Sequence, residues 1–175
     1  MQFLTRMSAA IVLMAAMLGW TAQDVQAQSC PGTNNPTVFG SYSLNAGFVP
    51  DPYVRNLTAG GRVNLANCRP FVGRGYVVTR PDFRLFYNRN PHTGGTSPTG
   101  QLSFVLEARS NVDTVLLINA PDGSWHYNDD FPGIGTNSAI TFFQPLTGQY
   151  DIWTGSYNRS SNNPATLYVT EYSLN

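Results

Sequence analysis

From residue 38 onward the chain alternates short apolar, β-branched and aromatic stretches with clusters of turn residues. Leu102, Phe104 and Leu106 alternate with Gln101, Ser103, Val105 and Glu107, and Tyr150, Ile152 and Thr154 alternate with Asp151, Trp153 and Gly155. A period of two sends successive side chains to opposite faces, so these stretches predict strands with one face turned inward. The same reading predicts strands at 38–44, 53–57, 62–65, 75–79, 83–87, 102–108, 114–120, 125–128, 139–144, 150–157 and 166–172. Breakers separate them, among them Pro50-Asp51-Pro52, Gly60-Gly61, Pro121-Asp122-Gly123 and Pro145-Leu146-Thr147-Gly148. No stretch past residue 38 keeps a 3.6-residue period through three turns, so no helix is predicted. Eleven strands are more than one flat sheet carries easily. The expected fold is all-β, an antiparallel β-sandwich of the jelly-roll kind, formed by 38–175 as a single domain after an extended, Pro/Asn/Gly-rich leader at 28–37. The low-complexity run at 88–100 predicts a surface loop.

The first residues read differently. A short positive start at 1–6 precedes an apolar run at 8–20, too short to span a bilayer comfortably. Val25-Gln26-Ala27 then has the small-x-small form of a signal-peptidase site, so 1–27 is expected to be a cleaved signal peptide and the mature protein to be secreted, either periplasmic or extracellular. In that compartment the two cysteines, Cys30 and Cys68, are expected to form a disulfide, the alternatives being two separate thiols or a shared metal site.

Charge narrows the function. Only 11% of residues are charged, the formal net charge is zero, and all ten basic residues are arginines. A polybasic surface for nucleic acid is therefore excluded. Acidic residues are scarce, so their placement is informative: Asp113, Asp122, Asp129, Asp130 and Asp151 fall within one stretch, with Asn128 beside the adjacent pair. Clustered carboxylates repel unless something positive sits among them. Ca²⁺ takes six to eight oxygens from such irregular loops. These six residues are therefore the expected calcium ligands, against two other readings: turn residues with solvated charges, or a network paired to arginine. No G-x-S-x-G motif occurs, and His92 and His126 are the only histidines available as general bases. Aromatic residues are plentiful, and Trp125, Tyr127, Trp153 and Tyr157 are expected to form an exposed binding surface.

The segments Asp113-Thr114-Val115-Leu116-Leu117-Ile118, Pro121-Asp122-Gly123, Asn128-Asp129-Asp130, Gly148-Gln149-Tyr150-Asp151-Ile152-Trp153-Thr154-Gly155 and Thr166-Leu167-Tyr168-Val169 together resemble the bacterial pre-peptidase C-terminal domain. The resemblance implies a jelly-roll module of the kind appended to secreted peptidases, whose collagen-binding members hold calcium and bind protein fibres. It also implies that Asp113 opens a core strand beside the acidic loop and that Asn128-Asp129-Asp130 completes the site. It imports no active site, because the peptidase residues of such proteins lie in a separate domain. The resulting expectation is a secreted, non-catalytic, calcium-stabilised binding module for an extracellular polysaccharide or a surface protein. The alternatives are a self-associating structural protein of the envelope and a secreted peptidase-like hydrolase.

Overall fold

The computed structural model describes residues 29–69, 73–89, 100–160 and 162–174. The expected signal peptide, most of the low-complexity run and His92 lie outside them. The strands are β1 (Ser41–Asn45), β2 (Tyr53–Ala59), β3 (Val63–Asn64), β4 (Tyr76–Val77), β5 (Phe83–Asn88), β6 (Gln101–Ala108), β7 (Thr114–Asn119), β8 (Trp125–Asn128), β9 (Ser138–Phe143), β10 (Gly148–Ser156) and β11 (Asn163–Thr170). One short 3-10 turn, Leu65–Asn67, follows β3. No helix among the described residues is long and apolar enough to cross a membrane.

The strands form two sheets. One runs β2-β11-β6-β9, antiparallel throughout; in the other, β10 is flanked by β7 and then β8 on one edge and by β5 and β4 on the opposite edge. Setting aside β1 and the two-residue strands β3 and β4, the other eight numbered in chain order read 1-8-3-6 in one sheet and 2-7-4-5 in the other. That is the jelly-roll order, the form expected of two interlocked Greek keys. One pair departs from the antiparallel expectation, because β1 lies parallel to β5. The connection between them passes through the opposite sheet, so no hairpin dictates their sense. Strand β1 also starts later than expected: Gly40, with φ of 85°, bends the chain. Ahead of that bend, Val38 and Phe39 donate to the Pro81 and Asp82 carbonyls.

The main core lies between the sheets. Leu102, Phe104 and Leu106 of β6 meet Leu167 and Val169 of β11, and they face Leu85, Leu116, Ile118, Tyr150 and Ile152 from the other sheet. Polar latches close the two ends of β10. At its last residue, Ser156, the paired Thr114 hydroxyl lies 3.2 Å from the Leu106 carbonyl and 2.9 Å from Ser138 Oγ, joining sheet to sheet. At its first residue, Gly148, the paired Tyr87 donates at 2.6 Å to the fully buried Glu171, whose other oxygen accepts from Gly47 N–H at 2.7 Å.

A second core sits outside the sandwich. The chain leaves β2 through Gly60 (φ 116°) and Gly61, where an added Cβ would fall 2.0 Å from the Val77 carbonyl, and folds back over the outer face of the β10 sheet. There Val63, Leu65, Cys68 and Val77 pack against Val115, Leu117 and Trp153. Cys30 of the leader is bonded to Cys68 of this flap, so the expected disulfide is present. The leader is docked as well as extended: Gly32 donates to the Thr79 carbonyl, and the Thr33 carbonyl accepts from Arg84 Nη2 at 2.7 Å.

Asp82, at the joint between flap and sandwich, is 2% exposed and accepts from Thr154 N–H at 2.7 Å. Burial raises its pKa to about 7, the Thr154 contacts only partly offsetting the cost of the charge. The folded chain therefore holds a proton that the unfolded chain releases near pH 4. The linkage sign follows: the contribution of Asp82 to stability is greatest below pH 4, falls as pH rises toward 7, and is level above it. Asp82→Asn, which keeps an oxygen for Thr154, is expected to flatten this part of the pH profile of the melting temperature.

Candidate functional site

The six expected calcium ligands do not converge. Asp151 lies on the outer face of its sheet, 1% exposed, and both of its oxygens are occupied, one by Arg84 Nε at 2.6 Å and the other by Gln149 Nε2 at 2.8 Å. It is a buried carboxylate paired to the partly exposed Arg84, as the arginine-network reading allowed. Asp122 serves its turn, accepting from Ser124 N–H at 2.9 Å and Ser124 Oγ at 2.6 Å, bonds that hold its pKa below the usual value. Asn128 joins β8 to β9: its Oδ1 accepts from Ala139 N–H at 3.0 Å and its Nδ2 donates to the Asp130 carbonyl at 3.1 Å.

Asp113, Asp129 and Asp130 remain as neighbours. Burial, then Asp130 and Asp129 in turn, raises the Asp113 pKa. Its Oδ1 is shielded from solvent and has no hydrogen-bond partner. Among the described residues, however, no three His, Cys, Asp or Glu side chains are grouped closely enough to hold a metal ion as they stand.

The expected aromatic surface is also redrawn. Trp153 is fully buried and stacks in a tilted contact on Trp125, with ring centroids 5.2 Å apart, because the flap covers it. Trp125, Tyr127 and Tyr157 are half-buried around the same cluster. The Tyr127 hydroxyl donates to the Arg74 carbonyl at 2.9 Å, and burial raises its pKa. These aromatics hold the flap down and do not offer a flat open face.

His126 stacks edge-on against Phe142 at 4.6 Å, and its Nε2 lies 2.8 Å from Ser124 Oγ. Asp122 sits on the far side of that serine. The order is carboxylate, hydroxyl, imidazole, with the hydroxyl in the middle. A nucleophilic triad needs the imidazole between the other two, so that it can take the hydroxyl proton while the carboxylate steadies it. Here the carboxylate competes for that proton.

A concavity of about 410 Å³ lies elsewhere, on the outer face of the β2-β11-β6-β9 sheet. Across that face the register lines up Val54, Tyr168, Val105 and Ala139 in one row. One wall is the β8–β9 loop carrying Phe131 and Ile134, braced by bonds between Phe131 and Asn137 and between Ile134 and Phe131. Another is Ser173 and Leu174, with Pro52 near them. The lining holds one ionisable carboxylate, the exposed Glu107, which has no arginine partner among the described residues. Sequence reasoning passed over Phe131, Ile134, Glu107 and Leu174. The available signal was the pair Val105 and Tyr168, apolar residues in outward positions of strands whose other outward residues are mostly polar.

No family model matches the chain, and no curated protein sequence does. Among solved structures, CorA of Methylomicrobium album BG8, a surface-associated copper-binding protein important in copper acquisition, is 11% identical, with a TM-score of 0.42 over 74% of this chain and 98% of that one. Aeromonas hydrophila PliG, a periplasmic inhibitor of g-type lysozyme, is 16% identical, with a TM-score of 0.34 over 75% of this chain and 96% of that one. Likenesses this loose carry no functional argument, and the site is read from its own geometry.

The Arg84–Asp151 pair supplies a direct test of that geometry. Arg84→Met strands a buried carboxylate and is expected to cost about 3 kcal/mol, read as an earlier midpoint of urea unfolding. Adding Asp151→Leu to the same chain should recover most of the loss.

Proposed function

We propose that the protein is a secreted, non-catalytic jelly-roll module that binds a protein partner through the groove over the β2-β11-β6-β9 sheet. The groove carries the reading: aliphatic and aromatic walls around one carboxylate without an arginine suit an apolar side chain flanked by arginine or lysine on an extended segment. The disulfide supports an oxidising compartment. The order of Asp122, Ser124 and His126 supports a binding role over hydrolysis. Kinship with the pre-peptidase C-terminal modules belongs to the same proposal.

Panning a displayed library of random peptides on the purified protein tests it. The recovered peptides are expected to carry an apolar residue beside Arg or Lys. Ile134→Asp and Glu107→Lys should each weaken them about tenfold or more without moving the melting temperature. Peptides lacking that pairing, or binding both variants as tightly as the parent, would sink the reading.

A second reading is carried by Asp113 Oδ1 alone: Ca²⁺ drawing Asp113, Asp129 and Asp130 together and relieving their repulsion. The three carboxylates would have to close around the ion, with Asp122, Asn128 and Asp151 left in their present bonds. If so, millimolar Ca²⁺ raises the melting temperature by several degrees over the chelated protein, and the rise is lost in Asp129→Asn/Asp130→Asn. Equal melting temperatures in Ca²⁺ and chelator would retire calcium.

A further inference from the structure

Strand β1 stands at the end of its sheet, paired on one side with β5. In a parallel pair alternate residues do the bonding, and two bonds at the ends of β1 fix which ones. Arg84 N–H donates to the Gly40 carbonyl at 3.2 Å, and Ala46 N–H donates to the Asn88 carbonyl at 2.9 Å. Gly40, Tyr42, Leu44 and Ala46 therefore turn their backbone groups toward β5. Those of Ser41, Ser43 and Asn45 turn outward, and no strand among the described residues pairs with that side.

Open edges in natural sheets are guarded by charged side chains, proline or bulges. The sequence Ser41-Tyr42-Ser43-Leu44-Asn45 has no charge and no proline, and every residue but Leu44 is exposed. Exposed apolar side chains also gather here. Tyr42 is 50% exposed and stacks on Tyr53 of β2, while Val38, just before β1, is 41% exposed. Phe86, which pairs with Ser43 from β5, is 42% exposed.

We propose that β1 pairs antiparallel with β1 of a second copy of this chain about a two-fold axis at Ser43, joining the two sheets into one continuous sheet. The phase of the open edge suits that axis. Ser43 faces Ser43 of the partner subunit, and Ser41 faces Asn45 of the partner subunit. All of these belong to the outward-bonding set, so each opposed pair exchanges both backbone bonds. Between them Tyr42 faces Leu44 of the partner subunit, an aromatic–aliphatic cross-strand contact on one face, with small polar side chains on the other. No charge is opposed to a like charge, and the formal net charge of zero leaves little repulsion between copies. A strand of this length buries less than the roughly 1,200 Å² of a standard stable interface, so the dimer is weak and reversible. The groove is on the other sheet, and the proposal stands independently of it.

Sedimentation equilibrium of the purified protein from about 1 μM to about 1 mM tests the pairing. A reversible monomer–dimer equilibrium is expected. Ser43→Pro removes an outward N–H while leaving the bonds to β5 intact, and Ser43→Lys sets two like charges at the axis. Each should raise the dissociation constant at least about tenfold, with the melting temperature of the monomer unchanged. Phe143→Ser, on an exposed residue of β9 in the other sheet, should leave the equilibrium alone. A monomer throughout the range overturns the proposal. So does a dimer that neither Ser43 change weakens, or one that Phe143→Ser weakens equally.

Discussion

Burying Trp153 is the constraint around which the outer layer of the molecule is organised. Strand β10 turns Tyr150, Ile152 and Thr154 into the sandwich and Asp151, Trp153 and Gly155 out of it, yet all six are buried. A two-layer sandwich covers only one face of each sheet, so the outward indole and the outward carboxylate both need cover from a third layer. They need different kinds. The indole takes the apolar flap of Val63, Leu65 and Val77; the carboxylate takes the guanidinium of Arg84, which also ties down the leader through Thr33. The disulfide joins the leader to that flap, so the segment that Arg84 holds by a hydrogen bond is bonded covalently to the cover of Trp153.

Much of the architecture was legible because it is local. Each of the eleven apolar runs is a strand, and the turns fall where Gly and Pro clusters put them. Alternation, however, reports a period and does not say what covers each face. Gln101, Ser103 and Val105 look like a solvent-facing set and are buried. Trp153 looks like a binding aromatic and is core. The parallel pairing of β1 was illegible for the same reason, since it depends on a path through the opposite sheet.

The candidate site was less legible than the fold. Nearness in sequence suggested that the acidic residues form one group, but Asp151 sits on a strand face opposite an arginine contributed by β5, and Asp122 is spent on its own turn. The groove needs a loop at 131–134, the row of Val105 and Tyr168, and Leu174 to meet, three segments with no shared motif. What the sequence did carry was the scarcity of charge, which leaves Glu107 conspicuous once the walls around it are seen.

The bond between Cys30 and Cys68 also bears on how the molecule is damaged. It closes a sequence separation of 38 residues, within which lie β1, β2 and β3. Arg55 and Arg62 are the only basic residues in that span, so a trypsin-like protease finds few places to cut there. A cut at either leaves both pieces covalently joined, with the cover over Trp153 still attached. A single cut within this span therefore frees neither piece until the disulfide is also reduced.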